Sequence, residues 1–249
     1  ARPRDAGSVR VFAHGGSPIA TEVLRRVHTA FPTANLVEVY GATELAPLAT
    51  AQQHEEELLE GPVVRSCGQP LMGVDVRVFG SDGAEVPPGQ IGEVVVRGPN
   101  VMLGYWNKPA QTAAALVNGW YRSGDLGYMD EVANLFLVDR AKDMIISGGE
   151  NVYSSEVEEA LYSHPMVLEA AVFGIPDDRW GERVHAAVVP RGLVTVEDLV
   201  AHCRDRIAGY KVPKAIDLRD EALPKSAAGK ILKRELRRPY WEGRDSNIA

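Results

Sequence analysis

The chain has 249 residues, with 27 Lys and Arg against 34 Asp and Glu for a formal charge of −7, and it is 45% apolar and 24% charged. This is globular composition, which excludes disordered, collagen-like and coiled-coil chains, and the length suits one large domain or two smaller ones. The two cysteines, Cys67 and Cys203, lie far apart, which excludes a disulfide framework or an all-cysteine metal site and fits a reducing compartment. No apolar run reaches the length of a membrane span, so a cytoplasmic protein with no transmembrane segment is expected. The acidic balance argues against a nucleic-acid partner.

The first segment, residues 1–60, reads as α/β. Val9 to Ala13 alternates as a strand and runs into Gly15-Gly16, and Ser17-Pro18 forms a cap and first-turn pair. Ile19, Val23, Val27 and Phe31 share one helix face, and Leu36 to Tyr40 is the next strand. Residues 61–141 read as a small β subdomain. Val74 to Phe79 and Ile91 to Arg97 form a hairpin across Ser81-Asp82-Gly83 and Pro87-Pro88-Gly89, Leu135 to Val138 is a further strand, and only Pro109 to Leu116 is helical.

Residues 142–249 read as a separate α+β domain. Ser155 and Glu158 form a capping box before a helix carrying Val157, Ala160 and Leu161. Ala170 to Ile175 and Val184 to Val189 are strands. Thr195 caps a second helix with Val196, Leu199, Val200, Cys203 and Ile207 on one face, Ala215 to Leu218 is a strand, and a basic tail follows. Between Gly209 and Arg238 there are nine basic and four acidic residues, a net +5. Such a stretch is either a solvated helix face or a landing site for phosphate.

Five segments combine glycine, turn residues and reactive polar groups. Tyr40-Gly41-Ala42-Thr43-Glu44 follows a strand; its glycine would let backbone approach a ligand, Thr43 offers a hydroxyl and Glu44 a hard oxygen for Mg²⁺. Trp120 to Gly127 holds Asp125 in a glycine-flanked turn, where it can accept two ribose hydroxyls or serve its own backbone. Asp139 to Val152 has the charge of an interdomain linker and a Gly148-Gly149 pair suited to an unusual backbone path. Gly174 to Glu182 is a loop with Trp180 as a packing residue. Pro224 to Lys230 presents Lys230 after small residues as a compact positive charge suited to phosphate and carboxylate, or as part of an ordinary basic surface loop.

In order and spacing, these segments, with Gly15-Gly16-Ser17-Pro18 and the run Gly92 to Pro109 (GEVVVRGPNVMLGYWNKP), resemble the adenylate-forming superfamily: acyl- and aryl-CoA synthetases, peptide-synthetase adenylation domains and luciferases. The resemblance covers essentially the whole chain. It implies the end of a large N-terminal domain followed by a small mobile lid domain. Family members are longer, and their glycine-, serine- and threonine-rich phosphate loop has no counterpart here, so the chain is expected to be the C-terminal half, partnered by a missing N-terminal half.

The resemblance implies that a small carboxylic acid, a fatty acid by preference, is joined to the α-phosphate of ATP and then passed to the thiol of coenzyme A. It makes Lys230 the bridge between carboxylate and phosphate, Thr43 a phosphate ligand, Glu44 the holder of Mg²⁺, and Asp125 the acceptor of ribose hydroxyls, with Arg140 nearby. Gly15, Gly16, Tyr40 and Gly41 would line the nucleotide pocket. Lys142 would be the hinge, and Gly148, Gly149, Glu150 and Trp180 would border the thiol channel. The alternatives are an enzyme that loads a carrier-protein thiol and a non-catalytic binding module. Ser154 stands where proline is frequent, which should alter the entry to its helix; Ala42 stands where methionine is frequent. His14 reads as a structural or pocket-wall residue in preference to a catalytic one, since the mechanism implied needs no general base there. The apolar segments from His14 to Pro18 and Leu45 to Thr50 are expected to wall an acyl pocket, favouring a fatty or aryl acid over an amino acid.

Overall fold

A computed structural model describes residues 7–16, 21–54, 61–227 and 229–242. The chain divides into two compact units, one ending at Leu137 and the other beginning at Val138. The division falls within a strand, ahead of the expected 141/142 boundary. Ser17, Pro18 and Ile19 lie outside the described residues.

The first unit opens as β1 (Val11–Gly15), α1 (Thr21–Ala30) and β2 (Asn35–Tyr40), with β1 and β2 parallel. A helical crossover between parallel strands is the unit that the opening hydrophobic rhythm implies. Two antiparallel strands, β3 (Thr50–His54) and β4 (Gln69–Pro70), extend the sheet in the order β1-β2-β3-β4. A second sheet contains the expected hairpin of β5 (Asp75–Phe79) and β6 (Gly92–Arg97). After the short helix α2 (Pro109–Ala115) come β7 (Leu116–Val117), β8 (Trp120–Met129) and β9 (Leu135–Arg140).

β8 corrects the sequence analysis, which placed a turn over Trp120 to Gly127. These residues form the middle of the sheet, paired with β6 on one side and with β7 and β9 on the other. The real turn is Asn118-Gly119, whose φ values of 51° and 82° are those of a two-residue hairpin between β7 and β8. Alternate residues Val76, Val78, Val94 and Val96 turn inward and pack with Tyr121 and Leu135. They share this core with Tyr40, Leu45, Ala49 and Cys67.

The second unit contains the hairpin β10 (Ile145–Ser147) and β11 (Glu150–Val152), then α3 (Ser154–Tyr162), β12 (Val167–Asp177), β13 (Gly181–Pro190), α4 (Val196–Arg204), β14 (Ala215–Leu218) and α5 (Lys233–Trp241). One face of the β12–β13 ladder (Val172, Val184, Ala186, Val188) packs on Leu161 of α3 and on Leu199 and Cys203 of α4. The other face (Ala171, Phe173, Ile175, Ala187, Val189) packs on Leu223 and on Leu236 of α5. The stretch taken for a basic tail is therefore a third helix that closes the sheet.

Thr195 caps α4 as expected, its Oγ1 accepting from the Asp198 N–H while the Asp198 carboxylate accepts from Thr195. The capping box assigned to Ser155 and Glu158 does not form. Ser155 Oγ donates instead to the Val138 carbonyl, and Glu158 Oε1 accepts from the Val172 N–H at 2.8 Å.

Both cysteines are buried, and burial pushes the Cys67 thiol up to about 12 and that of Cys203 to about 11, against an ordinary 9.0. Above pH 9 the unfolded chain releases these protons first, so stability is expected to fall as pH rises. At pH 8 a disulfide-exchange reagent should label neither thiol until denaturant is added; prompt labelling of the folded protein would contradict this packing. Leu161, fully buried, should cost about 2–5 kcal/mol when replaced by Ala, measured by urea unfolding of the second unit.

Candidate functional site

In the first unit the Tyr40–Glu44 segment leaves the end of β2. Tyr40 is buried, and its hydroxyl donates to Asp125 Oδ2 at 2.8 Å across 85 residues of sequence. Burial and the Asp125 carboxylate together push its phenol well above the ordinary range. Asp125 owes its position to a bulge. Between Glu93 and Val95 the β6 strand advances two residues while β8 passes from Leu126 back to Arg122, so β8 carries the excess. Gly124 adopts φ +70° within it. The excess chain takes Asp125 out of the ladder, and bulges commonly re-aim a side chain in this way. Ser123 Oγ secures the turn, donating to the Val94 carbonyl and accepting from the Asp125 N–H, while Glu93 accepts from the Gly124 N–H.

Gly41 is required by the chain's own packing. A Cβ there would overlap the Pro47 carbonyl oxygen, so the glycine admits the chain's own return. Gly15 is similar, since a Cβ would overlap the Val39 carbonyl on the neighbouring strand; Gly16 has φ +80°. Thr43 and Glu44 begin a single 3-10 turn. Thr43 is exposed, and among the described residues its hydroxyl has no partner. Glu44 Oε1 accepts from the Tyr105 hydroxyl at 2.7 Å, and the Glu44 carbonyl accepts from the Met102 N–H at 2.8 Å. The expected acyl wall is corrected in part: Leu45, Ala49 and Thr50 are fully buried, Leu45 and Ala49 in the core, and Thr50 Oγ1 bonds the Cys67 carbonyl. His14 stands on β1 opposite Glu38.

In the second unit Arg140 ends β9 and begins a tight turn, its carbonyl accepting from the N–H groups of Asp143 and Met144. Lys142 is exposed on this turn, and its carbonyl accepts from Arg237 at 3.5 Å. Gly148 and Gly149 form the two-residue turn of the β10–β11 hairpin with φ values of 63° and 85°. Gly148 lies under the Trp180 indole, where a Cβ would come within 2.6 Å of the ring, and its N–H donates to the Trp180 carbonyl at 2.8 Å. Glu150 is exposed on β11. Beneath this hairpin sits Glu182, 4% exposed, accepting from the Ile146 N–H at 3.1 Å with Arg237 3.8 Å away. Burial raises its pKa.

Lys230 stands on the loop between β14 and α5. The loop is tied rather than loose: Ser226 N–H donates to the Lys230 carbonyl, Gly229 N–H to the Ser226 carbonyl, and Leu232 N–H to the Pro224 carbonyl, each at 2.8–2.9 Å. Lys225 pairs with Ile231 across its neck. The Lys230 side chain is exposed, with no partner among the described residues. Much of the surrounding positive charge is engaged, with Lys211 on Glu156, Lys225 on Glu169, Lys233 on Glu158 and Arg237 near Glu182. Four of the nine basic residues of the +5 stretch are thus held in ion pairs, and Lys230 is one of those that stay exposed.

The model of AMP-binding enzymes matches residues 1–106, and that of the AMP-binding enzyme C-terminal domain matches residues 156–230. The chain belongs to the adenylate-forming, AMP-binding enzymes. It is 45% identical over 246 residues to a feruloyl-CoA synthase of an Amycolatopsis species, covering 96% of this chain and 48% of that protein. It is 44% identical over 234 residues to a long-chain-fatty-acid–CoA ligase of Yersinia pestis, covering 94% and 41%. The solved o-succinylbenzoate CoA synthetase of Bacillus subtilis, bound to an acyl-adenylate intermediate, superposes with a TM-score of 0.85 at 36% identity, covering 94% of this chain and 47% of that one. The chain therefore spans about half the length of the relatives it matches.

Within this chain, the structure brings Tyr40 to Asp125 and Gly148 to Trp180. Lys230, Lys142 and the Gly148 turn stand on separate segments of the second unit. Sequence analysis missed Tyr105 as the partner of Glu44, although Gly-Tyr-Trp-Asn lay inside a quoted motif. It also missed Ser123 and Glu93 as the supports of Asp125. Gly41→Ala should destabilise the first unit by about 1–3 kcal/mol, since the clash is with backbone that cannot swing aside. Gly149→Ala, where no atom lies within 4 Å, should cost only the left-handed backbone penalty of about 1 kcal/mol. Equal losses in thermal unfolding would contradict the close approach at Gly41.

Proposed function

We propose that this chain supplies the nucleotide-facing and lid segments of an AMP-forming acid–thiol ligase, which activates a carboxylic acid with ATP and transfers the acyl group to coenzyme A. The observation that carries this reading is the Tyr40–Asp125 hydrogen bond, which joins the ends of two motifs distant in sequence and turns a carboxylate away from its own ladder.

Bringing a carboxylate to a triphosphate joins two anions, so preorganised donors and cations govern the barrier. Asp125 is suited to accept two ribose hydroxyls, since Tyr40 fixes one of its oxygens. Thr43 offers an exposed hydroxyl to phosphate, and Gly15 and Gly16 border the same pocket. The exposed ammonium of Lys230 bridges the attacking carboxylate oxygen and the α-phosphate, neutralising charge as the new bond forms and pyrophosphate departs. Arg140 completes the cationic side. Lys142 acts as the hinge for exchanging the two faces of the lid, and the Gly148-Gly149 turn, Glu150 and Trp180 border the path of the thiol.

The residues fit Mg²⁺. Glu44 presents one hard carboxylate, oriented by Tyr105, and among the described residues there is no cluster of three or more potential ligands. This suits an ion that keeps its waters and relies on substrate phosphate. Bound there, Mg²⁺ would offset phosphate charge.

The acid we propose is a fatty acid, with an aryl acid as the competing outcome. The relative named for long-chain fatty acids supports the first and the one named for ferulate the second. In the natural full-length protein, MgATP, coenzyme A and a pool of fatty and aromatic acids should yield a thioester detectable by mass spectrometry. Lys230→Ala should reduce it by about 10²–10³-fold. Thioester formation that survives this change would refute the role of Lys230, and no thioester from the unaltered protein would refute the ligase reading.

A further inference from the structure

The first turn of α3 contains a buried polar chain that none of the functional roles above uses. Ser154 is fully buried. Its N–H donates to Asp139, and its hydroxyl donates to Asp139 Oδ2 at 2.8 Å while accepting from Lys233 Nζ at 2.6 Å. Lys233 also pairs with Glu158 Oε1 at 2.8 Å, with both side chains less than one-fifth exposed. Asp139 directly precedes Arg140 near the end of β9, and Lys233 is the first residue of α5.

A lysine at that point is unfavourable on two counts. It places a cation at the positive end of a helix dipole, and its burial removes an ammonium from water. Arginine or lysine in the last turn would be the ordinary choice. The arrangement is tolerable because the ammonium is met by Glu158 and by a serine hydroxyl whose proton is committed to Asp139. That proton commitment leaves the serine oxygen as an acceptor for Lys233.

The chain between Lys233 and Lys230 transmits any displacement. Only Ile231 and Leu232 intervene. Ile231 closes the neck of the loop against Lys225, and Leu232 N–H donates to the Pro224 carbonyl. A shift of Lys233 therefore moves the closing bonds of the loop that presents Lys230.

We propose that Ser154 and Lys233 are positioning residues: through Asp139 they pin the Lys230 loop to the strand that leads into Lys142, and so set where Lys230 stands during acid activation. This inference rests on the ligase reading for its catalytic consequence, but not for the pin itself. Ser154→Ala removes only a hydroxyl, Lys233→Met removes the charge, and Lys233→Arg restores it.

Two measurements on the natural full-length protein decide the matter. In amide hydrogen exchange, Ser154→Ala and Lys233→Met should speed exchange of the 224–232 segment by about threefold or more while β12 and β13 keep their rates. In kinetics, kcat for acyl-adenylate formation should fall about tenfold, KM for ATP and acid should stay near the original, and thioester formation from supplied acyl-adenylate should stay within about twofold. Lys233→Arg should recover most of the loss. Unchanged loop exchange, or an equal fall in both half-reactions, would overturn the proposal. If the unaltered protein forms no adenylate with any acid, the ligase reading fails, and the exchange measurement still decides the pin.

Discussion

The second unit depends on the pairing of β12 with β13. Its register runs from Val167 opposite Pro190 to Asp177 opposite Gly181, and both faces are covered. A strand buried on both sides cannot alternate apolar with polar residues, so it reads as a continuous apolar run such as Ala170–Ile175 or Val184–Val189. Such a ladder needs helices on both faces. α3 and α4 supply one cover, and α5 must supply the other. Each segment to which a role is proposed in this unit is attached to the ladder: the Gly148 turn through Trp180 and Glu182, α3 through Glu158, and the Lys230 loop through α5.

That dependence explains why α5 was not legible in sequence while α4 was. α4 begins with a local capping box and repeats apolar residues at helical spacing. α5 reads Lys-Arg-Glu-Leu-Arg-Arg-Pro-Tyr-Trp, and its fully committed apolar residue is Leu236. Its remaining attachments are remote and mostly polar: Tyr240 packs on Phe173 and donates to Asp217, Trp241 donates to the Gly174 carbonyl at 3.1 Å, and Lys233 and Arg237 engage Glu158 and Glu182. No window of sequence contains both ends of such bonds. For the same reason the positive charge between Gly209 and Arg238 looked wholly available for phosphate, whereas four of its nine basic residues have counter-ions on α3, β12 and β13.

Glycine was the other source of misjudgement, because its two uses look alike in sequence. Asn118-Gly119 and Gly148-Gly149 serve turns through positive φ, and the first is a strong hairpin signal that the Trp120–Gly127 motif overshadowed. Gly127 and Gly41 serve close packing: a Cβ at Gly127 would meet the Phe136 carbonyl at 2.5 Å. Reading Gly127 as a turn residue converted the central strand of a sheet into a loop. The departure of Asp125 from regular pairing was nevertheless legible, since both a turn and a bulge remove a carboxylate from the ladder. Its partner Tyr40 was also singled out, but their contact depends on two sheets meeting over a common core, which only the fold can supply.

Across the motifs, the group proposed to carry the chemistry is held by neighbours to which no chemistry is assigned. Asp125 rests on Ser123 and Glu93, Glu44 on Tyr105, Gly148 on Trp180, and Lys230 on a loop closed by Ile231 and Leu232. A side chain poised for reaction has to keep a lone pair or a proton uncommitted, so it cannot supply all of its own restraint. Much of the restraint passes to hydroxyls and backbone amides, which hold geometry without adding net charge, with the Glu93 carboxylate as the exception. Ser154 takes this furthest: a small neutral group, by accepting from Lys233 and donating to Asp139, lets an anion and a cation share a buried site without touching. Proline at this position would preserve the helix but leave Asp139 and Lys233 without their intermediary, so the identity of residue 154 bears on how firmly Lys230 is held.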